Sequence, residues 1–296
     1  MSVKPASFDY YRPDTVDEAL QLLDEAEDEG KILAGGQSLV PIMNMRLATP
    51  QCIIDVNGLN GLDTIRYESG LMKIGALSRQ RCLEQNNLVK EKVPLIAEAA
   101  PFIGHTQTRN RGTIGGSLVH ADPSAEIPLS LLVLDAQAVI RSCDEERTVP
   151  VSDFFVTYLT TDIMPNEMLT EIQIPTEGIP QGYAFVEFSR RHGDFALVDA
   201  ACLIDTDEQR RITSVRLALG GVDAIPVLSE DATELLVGEK LSSRLLEEVG
   251  RAVQAEVDPD EDLHASREYR RHLAGVFAKR AVRLAYQRAI QGGGTG

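Results

Sequence analysis

The residues best suited to chemistry lie in a glycine-rich stretch near the middle of the chain. Gly112, Gly115 and Gly116 stand within five positions there, with Thr113 and Ser117 beside them. Glycine reaches backbone angles that other residues avoid, and it lets a ligand approach the main chain closely. Successive N–H groups in such a turn can converge on an anion, and the two hydroxyl groups add donors. The stretch predicts a phosphate-binding loop, with a plain tight turn between strands as the alternative.

A second stretch has the same form. Residues 31–34 are a mostly apolar lead-in, and Gly35, Gly36, Gln37 and Ser38 follow. Neither stretch has the glycine spacing of a Rossmann fingerprint or of a P-loop. Two such loops in one domain could bind the two phosphates of a dinucleotide from opposite sides.

Together the two stretches carry a resemblance to a known family. Residues 34–39 (AGGQSL) and 109–117 (RNRGTIGGS) resemble the FAD-binding medium subunits of the molybdenum hydroxylases. That family includes the flavoprotein subunits of carbon monoxide dehydrogenase and xanthine dehydrogenase. The run at 120–126 (HADPSAE) is similar to the family's continuation, and residues 190–196 (RRHGDFA) are a further match. These matches are spread over the chain, and its length fits the family's two-domain layout.

The resemblance implies an α+β fold. A two-part FAD-binding domain of the PCMH (vanillyl-alcohol-oxidase-like) type would precede a smaller C-terminal α+β domain, built as a three-stranded sheet with helices. A segment rich in Pro and Gly at 175–182 marks the boundary. The predicted division is an FAD-binding domain at 1–177, a C-terminal flavoprotein domain at 178–291 and a flexible tail at 292–296.

The resemblance also implies where FAD would bind. Its pyrophosphate would lie between the two glycine stretches, and Glu126 matches a position that contacts the adenosine half. Leu169 matches an apolar position near the isoalloxazine ring, which Ile103 and Gly104 could also line. For Leu169 and Ile103, ordinary burial in the core is the alternative. The residues predicted to bind FAD are Leu33, Ala34, Gly35, Gly36, Gln37, Ser38, Leu39, Ile103, Gly104, Thr113, Gly115, Gly116, Ser117, Asp122, Glu126 and Leu169.

By the same resemblance, the chain is an electron-transfer subunit of an oxidoreductase. Its FAD would accept electrons from two-iron two-sulfur clusters on a small subunit and pass them to an external acceptor. A molybdenum cofactor on a large subunit would perform the organic chemistry, and a dimer of such heterotrimers is the expected assembly. Residues 103–111 and 190–194 are the predicted rim at which a partner docks. No residue of this chain is predicted to be catalytic or to bind a metal. The alternatives are a self-sufficient FAD-dependent oxidase and a non-enzymatic binder of an anionic ligand.

The cysteines agree with iron–sulfur clusters that lie on another chain. Cys52, Cys82, Cys143 and Cys202 are far apart in the sequence, whereas an iron–sulfur cluster requires grouped thiolates. Four separated cysteines in a chain of this length also do not form a disulfide scaffold.

Charge and hydropathy argue against two other classes of protein. The formal net charge is −16, and no run of Lys and Arg offsets it, which disfavours nucleic-acid binding. No apolar run reaches the roughly 18 residues that a membrane span needs. Because the N-terminal residues lack an apolar signal core, a cytoplasmic location is expected. The excess of acidic residues indicates either a salt-loving source or an ordinary acidic cytosolic protein.

Several polar side chains near the central stretch allow two interpretations. His120, Asp122 and Glu126 could form a metal triad, although metal ligands need a convergent geometry that spacing alone does not show. The other interpretation of His120 is a structural role in the loop. Arg109 and Arg111 could pair with phosphate through their planar forks, or they could be exposed and solvated.

One position departs from the family pattern. Many relatives carry a lysine near the flavin, just ahead of the Arg-Arg element, where residues 185–189 of this chain have none and include Glu187. A carboxylate would stabilise the anionic reduced flavin less than an ammonium group would, so the acceptor or the flavin potential could differ. Arg190, Arg191 and Asp194 could order the domain interface by ion pairing, with a plain surface role as the alternative.

The elements that must position these residues follow from local patterns. Residues 31–34 predict a short strand that leads into the first glycine stretch, and 39–45 predict a short helix after it. Residues 53–56 predict a buried strand that ends in a turn at Asn57. Further predicted elements are a helix capped by Thr15, strands at 168–175, 183–189, 196–204 and 213–219, and helices at 230–236, 243–257 and 266–290.

Overall fold

The structure is a computed structural model that describes residues 4–292. The predicted flexible tail therefore lies outside the described residues, except for Gly292. None of the helices in this part of the chain combines the length and the apolar character needed to cross a lipid bilayer.

The chain begins with a small parallel sheet whose strands pair in the order β1–β3–β2. Its elements are β1 (Asp9–Tyr11), α1 (Val16–Ala26), β2 (Gly30–Leu33), α2 (Leu39–Asn44) and β3 (Cys52–Asp55). The Thr15 hydroxyl accepts the N–H of Glu18 at 3.1 Å, which confirms the predicted start of α1. Parallel strands place their carboxyl ends at one edge of a sheet, so Leu33 and Asp55 end side by side.

A second, antiparallel sheet follows, with the strand order β4–β5–β10–β6–β7. Its strands are β4 (Ile65–Glu68), β5 (Leu71–Gly75), β6 (Gln137–Arg141), β7 (Glu146–Pro150) and β10 (Met168–Pro175). The connecting elements are α3 (Gln80–Gln85), α4 (Asn87–Lys92), α5 (Pro94–Ala99), α6 (Thr106–Arg111), α7 (Ile114–His120), α8 (Glu126–Val133), α9 (Val151–Phe154), and the short pair β8 (Phe155–Thr157) and β9 (Thr160–Thr161).

The third sheet is formed by the C-terminal part of the chain. Its elements are β11 (Gly182–Phe188), β12 (Val198–Thr206), β13 (Ile212–Gly220), β14 (Val227–Leu228), α10 (Glu230–Leu236), α11 (Ser243–Glu256) and α12 (Arg267–Gly292). The predicted three strands correspond to β11, β12 and β13. The sheet is four-stranded, because the two residues of β14 pair with Ala218 and Leu219. Two residues are too short a run to show a strand pattern in the sequence.

Strand β12 joins the C-terminal sheet to the rest of the molecule. Ala201 and Leu203 belong to the same hydrophobic core as the helices of the second sheet, whereas Ala200 and Cys202 pack with α11 and α12. Successive side chains of a strand point to opposite faces, so β12 is buried on both sides. The predicted domain division at 177/178 stays a prediction.

Candidate cofactor site

A large cavity opens between the parallel sheet, α7 and the C-terminal part of the chain. Its volume is about 850 Å³, within the range of small-molecule sites. All of the residues predicted to bind FAD line it, except Leu33. The side chain of Leu33 lies behind the first glycine stretch, where a Cβ on Gly36 would meet its Cδ1 at 3.2 Å.

The first glycine stretch forms a loop between β2 and α2. Gly36 has φ +69°, in the left-handed region that favours glycine. Within residues 4–292, none of the five backbone N–H groups from Gly35 to Leu39 donates a hydrogen bond to the protein. These free donors lie at the cavity wall and at the N-terminus of α2, where the partial charge of the helix is positive. The loop is therefore suited to bind an anion, as predicted.

The second glycine stretch is not a loop but the first turn of helix α7, which corrects the prediction. Thr113 is the N-cap, and its hydroxyl accepts the N–H of Gly116 at 3.0 Å. The N–H of Gly115 donates to the Ala76 carbonyl at 2.9 Å, and that of Ser117 donates to the Thr113 carbonyl at 3.1 Å. These three N–H groups already have partners within the protein. A threonine at the N-cap accepts the N–H three residues later, which is a strong helix cap. The segment therefore lines the cavity with Gly115 and Gly116, which have no side chains, and with Ser117.

The two glycine stretches contact each other directly at Gly35. A Cβ at this position would lie 2.5 Å from the carbonyl oxygen of Arg111 and 2.8 Å from the Cα of Gly112. Real Cβ atoms do not approach other atoms so closely, so glycine is required here for packing.

Arg109 does not line the cavity, which argues against its predicted pairing with phosphate. Its side chain is buried and forms an ion pair with Glu84 at 3.0 Å. The same guanidinium donates to the carbonyls of Ile103 at 2.9 Å and Gly104 at 3.1 Å. Arg109 is therefore not an exposed, solvated arginine either; it fixes the backbone that lines one end of the cavity. Arg111 is exposed and does not line the cavity.

Residues 159–169 form a wall that sequence reasoning found only at Leu169. The lining side chains here also include Leu159, Ile163 and Met164. Arg147 binds this wall: it pairs with Glu167 at 2.7 Å and with the Asp162 carboxylate. The side chain of Glu167 is buried, so the pair is shielded from solvent screening. The sequence around the β8–β9 pair has no glycine or motif that would have marked it.

The loop between β11 and β12 contributes Gly193, Asp194 and Phe195 to the lining of the cavity. Gly193 has φ +89°, and a Cβ there would lie 2.5 Å from Cε1 of His105. The two predicted rim segments therefore meet. Phe195 projects from this loop with 78% of its surface exposed. Among the described residues, Arg190, Arg191 and Asp194 form no ion pair, so the predicted ion pairing at the domain interface is wrong.

A cluster of carboxyl groups lies beside the cavity and consists of Asp122, Glu126, Glu187 and Asp199. Burial raises the pKa of Glu126 to about 8, and the nearby carboxylates add to the shift. Burial also raises the pKa of Glu187 to about 7 and that of Asp199 well above its usual range. Both oxygens of Asp199 lack a hydrogen-bond partner in the described structure. Burial therefore favours the protonated form of Glu126 and of Asp199 at neutral pH.

Among residues 4–292, no group of three or more His, Cys, Asp and Glu side chains is arranged to hold a metal ion, so His120, Asp122 and Glu126 do not converge as a metal triad would. Asp122 instead accepts the N–H of Ser124 at 2.9 Å and its hydroxyl at 2.8 Å. Glu187, at the position that departs from the family, is not among the lining residues of the cavity.

The titratable side chains on the cavity wall are mostly acidic. Asp122, Glu126, Glu167 and Asp194 line it, and Lys31 is the only Lys or Arg among the described lining residues. An anion bound here would meet little compensating charge from side chains. Backbone N–H groups must then supply most of its hydrogen bonds, as they do in other anion-binding loops.

Comparisons with known proteins agree with this geometry. Residues 6–177 match the family described as the FAD binding domain in molybdopterin dehydrogenase, and residues 183–285 match the CO dehydrogenase flavoprotein C-terminal domain. The alpha subunit of the 6-hydroxypseudooxynicotine dehydrogenase complex of Paenarthrobacter nicotinovorans is 39% identical over 287 residues, which cover 97% of each chain.

The medium chain of the carbon monoxide dehydrogenase of Hydrogenophaga pseudoflava is 33% identical over 284 residues, which cover 96% of this chain and 99% of the relative. A solved structure of the carbon monoxide dehydrogenase of that organism, in a form that lacks the Mo-pyranopterin moiety of the molybdenum cofactor, contains a similar chain. It superimposes with a TM-score of 0.93 at 34% identity and covers 96% of this chain and 99% of that chain.

Proposed function

This chain belongs to the family of FAD-binding flavoprotein subunits of molybdopterin dehydrogenases, and on that premise we propose that it is the electron-transfer subunit of a heteromeric molybdenum hydroxylase. Its FAD would accept electrons from an iron–sulfur subunit and pass them to an external acceptor. The relatives are themselves subunits, named as the alpha subunit of a dehydrogenase complex and as a medium chain.

One observation carries the proposal: the N–H groups of residues 35–39 have no hydrogen-bond partner among the described residues, and these five residues line a cavity of about 850 Å³. These donors fit the pyrophosphate of FAD, which is the anionic part of the cofactor. Bound there, FAD supplies the redox chemistry. The residues of this chain bind and orient it, and the apolar side chains of Ile103 and Leu169 fit the place predicted for the ring.

The proposed partners are a small iron–sulfur subunit and a large molybdenum subunit, arranged as a dimer of heterotrimers. The cysteines support this division, because all four are free thiols at separate places in the structure. The proposed docking rim is the contact between residues 103–111 and 190–194, since electron transfer demands short distances to the cofactor. Free thiols also fit a reducing, cytoplasmic compartment, which is the location we propose.

The proposal is tested by cofactor content. We expect the purified chain to bind FAD noncovalently and to show a flavin absorption spectrum, so that acid precipitation releases the yellow colour into the supernatant. Colour that stays with the pellet would show a covalent link. A chain that does not bind FAD when the cofactor is added in excess would overturn the proposed function.

A further inference from the structure

Asn57 lies in the turn directly after β3, next to the carboxyl end of β2. Its side-chain Nδ2 donates to the Ala34 carbonyl at 2.7 Å and lies 3.3 Å from the Leu33 carbonyl. The same nitrogen is 2.6 Å from Oδ1 of Asp55, which also accepts the backbone N–H of Asn57 at 3.0 Å. Asp55 thus fixes the amide in the orientation that presents its donors to the first glycine loop.

The bond to Ala34 determines where the next N–H group points. The carbonyl of Ala34 and the N–H of Gly35 belong to one peptide unit, which is planar and trans. In such a unit the C=O and N–H bonds point in opposite directions. Because Asn57 binds the carbonyl, the N–H of Gly35 is directed away from Asn57, where it has no partner among the described residues.

The oxygen of the same amide reaches the second glycine stretch through Arg79. Asn57 Oδ1 accepts from Nη2 of Arg79 at 2.8 Å, and Nη1 of Arg79 donates to the Arg111 carbonyl. That carbonyl is the group against which Gly35 packs. The contacts from Ala34 through Asn57, Arg79 and Arg111 therefore return to Gly35 as a closed ring.

We propose that Asn57 is a positioning residue for the pyrophosphate of FAD, which it affects by fixing the direction of the Gly35 N–H and the spacing of the two glycine stretches. The inference rests on the proposed function. Because the cavity wall has few basic side chains, an anion bound there relies on backbone donors. Its binding then depends on the orientation of those donors. Arg79 acts in the same way, through its two directed N–H groups.

The test compares Asn57→Ala with Asn86→Ala in the full chain. Asn86 is a matched control: it is equally half-buried, its side chain accepts two backbone N–H groups at 2.8 and 3.2 Å, and it does not line the cavity. We expect Asn57→Ala to raise the Kd for FAD about tenfold or more, since a lost hydrogen bond leaves a misdirected donor. Asn86→Ala should leave the Kd unchanged. Thermal unfolding of both variants without FAD measures their structural cost separately.

Two further variants separate positioning from charge and from folding. Arg79→Lys keeps the positive charge but loses the two-pronged geometry, so it should raise the Kd in the same direction. Asn57→Asp keeps the size of the side chain, loses its donors and adds a negative charge beside Asp55, so it should raise the Kd at least as much as Asn57→Ala. The phosphorus NMR chemical shifts of bound FAD should also change in these variants and stay the same in Asn86→Ala.

The outcomes are distinct. If the unaltered chain binds no FAD, the proposed function fails and not this inference alone. If it binds FAD and the Asn57 and Arg79 variants bind equally well, the inference is wrong. Full affinity in Arg79→Lys alone would assign Arg79 a purely electrostatic role and overturn its part in the ring. Loss of the folded state in every Asn57 and Arg79 variant would make the ring a stability element and would also overturn the inference.

Discussion

At position 126 a carboxyl group is buried at the edge of the cavity, beside other acids. The pKa of Glu126 is raised to about 8 by burial, whereas in the unfolded chain it returns to its usual value of 4.5. The folded protein therefore binds more protons than the unfolded chain between these two pH values. It follows that the free energy of unfolding decreases as the pH rises through this range.

We expect Glu126→Gln to reduce this pH dependence. The glutamine has no proton to lose, so one contribution of up to about 1.4 kcal/mol per pH unit disappears from the slope. Denaturant unfolding at a series of pH values between about 5 and 8 measures the effect. Glu187 and Asp199 remain in the variant and keep part of the slope. A slope equal to that of the unaltered protein would show that Glu126 is ionised in the folded state.

The sequence predicted residue types better than residue partners. Gly35 and Gly36 were predicted to bind FAD and line the cavity, because a glycine pair marks a place where the backbone is approached closely; their contact with FAD stays a prediction. The partners of Arg109 could not be predicted, because they are the carbonyls of Ile103 and Gly104, which are set by how α6 packs. An arginine that binds phosphate and one that binds carbonyls look the same in a sequence.

At the scale of elements, helix α7 is the clearest difference from expectation. Glycine has a low helix propensity, and two adjacent glycines indicated a turn. The helix is nevertheless stabilised by the Thr113 cap. It also packs closely at Gly115, where a Cβ would lie 2.7 Å from Ala76. Long-range contacts of this kind are not visible in a local pattern. Strands β11, β12 and β13 were predicted because their buried faces give a strong apolar signal.

Gly116→Val tests what α7 contributes to the site. Gly116 is exposed, its φ is not in the left-handed region, and a Cβ there would meet Oγ1 of Thr113 at 2.8 Å. The backbone angle admits a side chain, but the Thr113 hydroxyl must shift to make room for the Cβ. Beyond that shift, the branched valine should act by filling the cavity. We expect the Kd for FAD to rise about tenfold or more, with a smaller effect on the unfolding of the chain without FAD.

Gly116→Ala is the matched control for this prediction. It adds the same Cβ beside the Thr113 hydroxyl but no branch that reaches into the cavity, and alanine favours a helix over glycine by about 1 kcal/mol. It should retain most of the FAD affinity. An equal loss in both variants would point to a disturbed helix cap, and no loss in the valine variant would show that α7 does not border the cofactor.

For the whole molecule, the sequence could not predict the order of strands. β10 pairs with β5 on one side and with β6 on the other, although roughly a hundred residues separate it from β5. Local periodicity shows that a strand exists but not where it pairs. The α+β class and the FAD-binding fold followed from the family resemblance, and the match to the carbon monoxide dehydrogenase structure confirms them.

The chain should be incomplete as an enzyme when it is alone. Its cysteines are scattered, and the described residues hold no metal site. We expect that separation of the native assembly leaves this chain able to reduce dyes with NADH, whereas oxidation of the organic substrate requires all three kinds of subunit. Recombining the separated chains should restore substrate oxidation. Substrate turnover by this chain alone would instead favour a self-sufficient oxidase.

The closure of the cavity by Gly193, Asp194 and Phe195 has a consequence for biosynthesis. The wall is assembled from residues as early as Leu23 and as late as Phe195. A ribosome adds about 5–20 residues per second, so the glycine loop emerges well before the β11–β12 loop that lines the same cavity. A nascent chain that ends before Gly193 therefore offers FAD an incomplete cavity wall. Tight cofactor loading should thus follow translation of the C-terminal sheet, and truncated chains should leave the ribosome colourless.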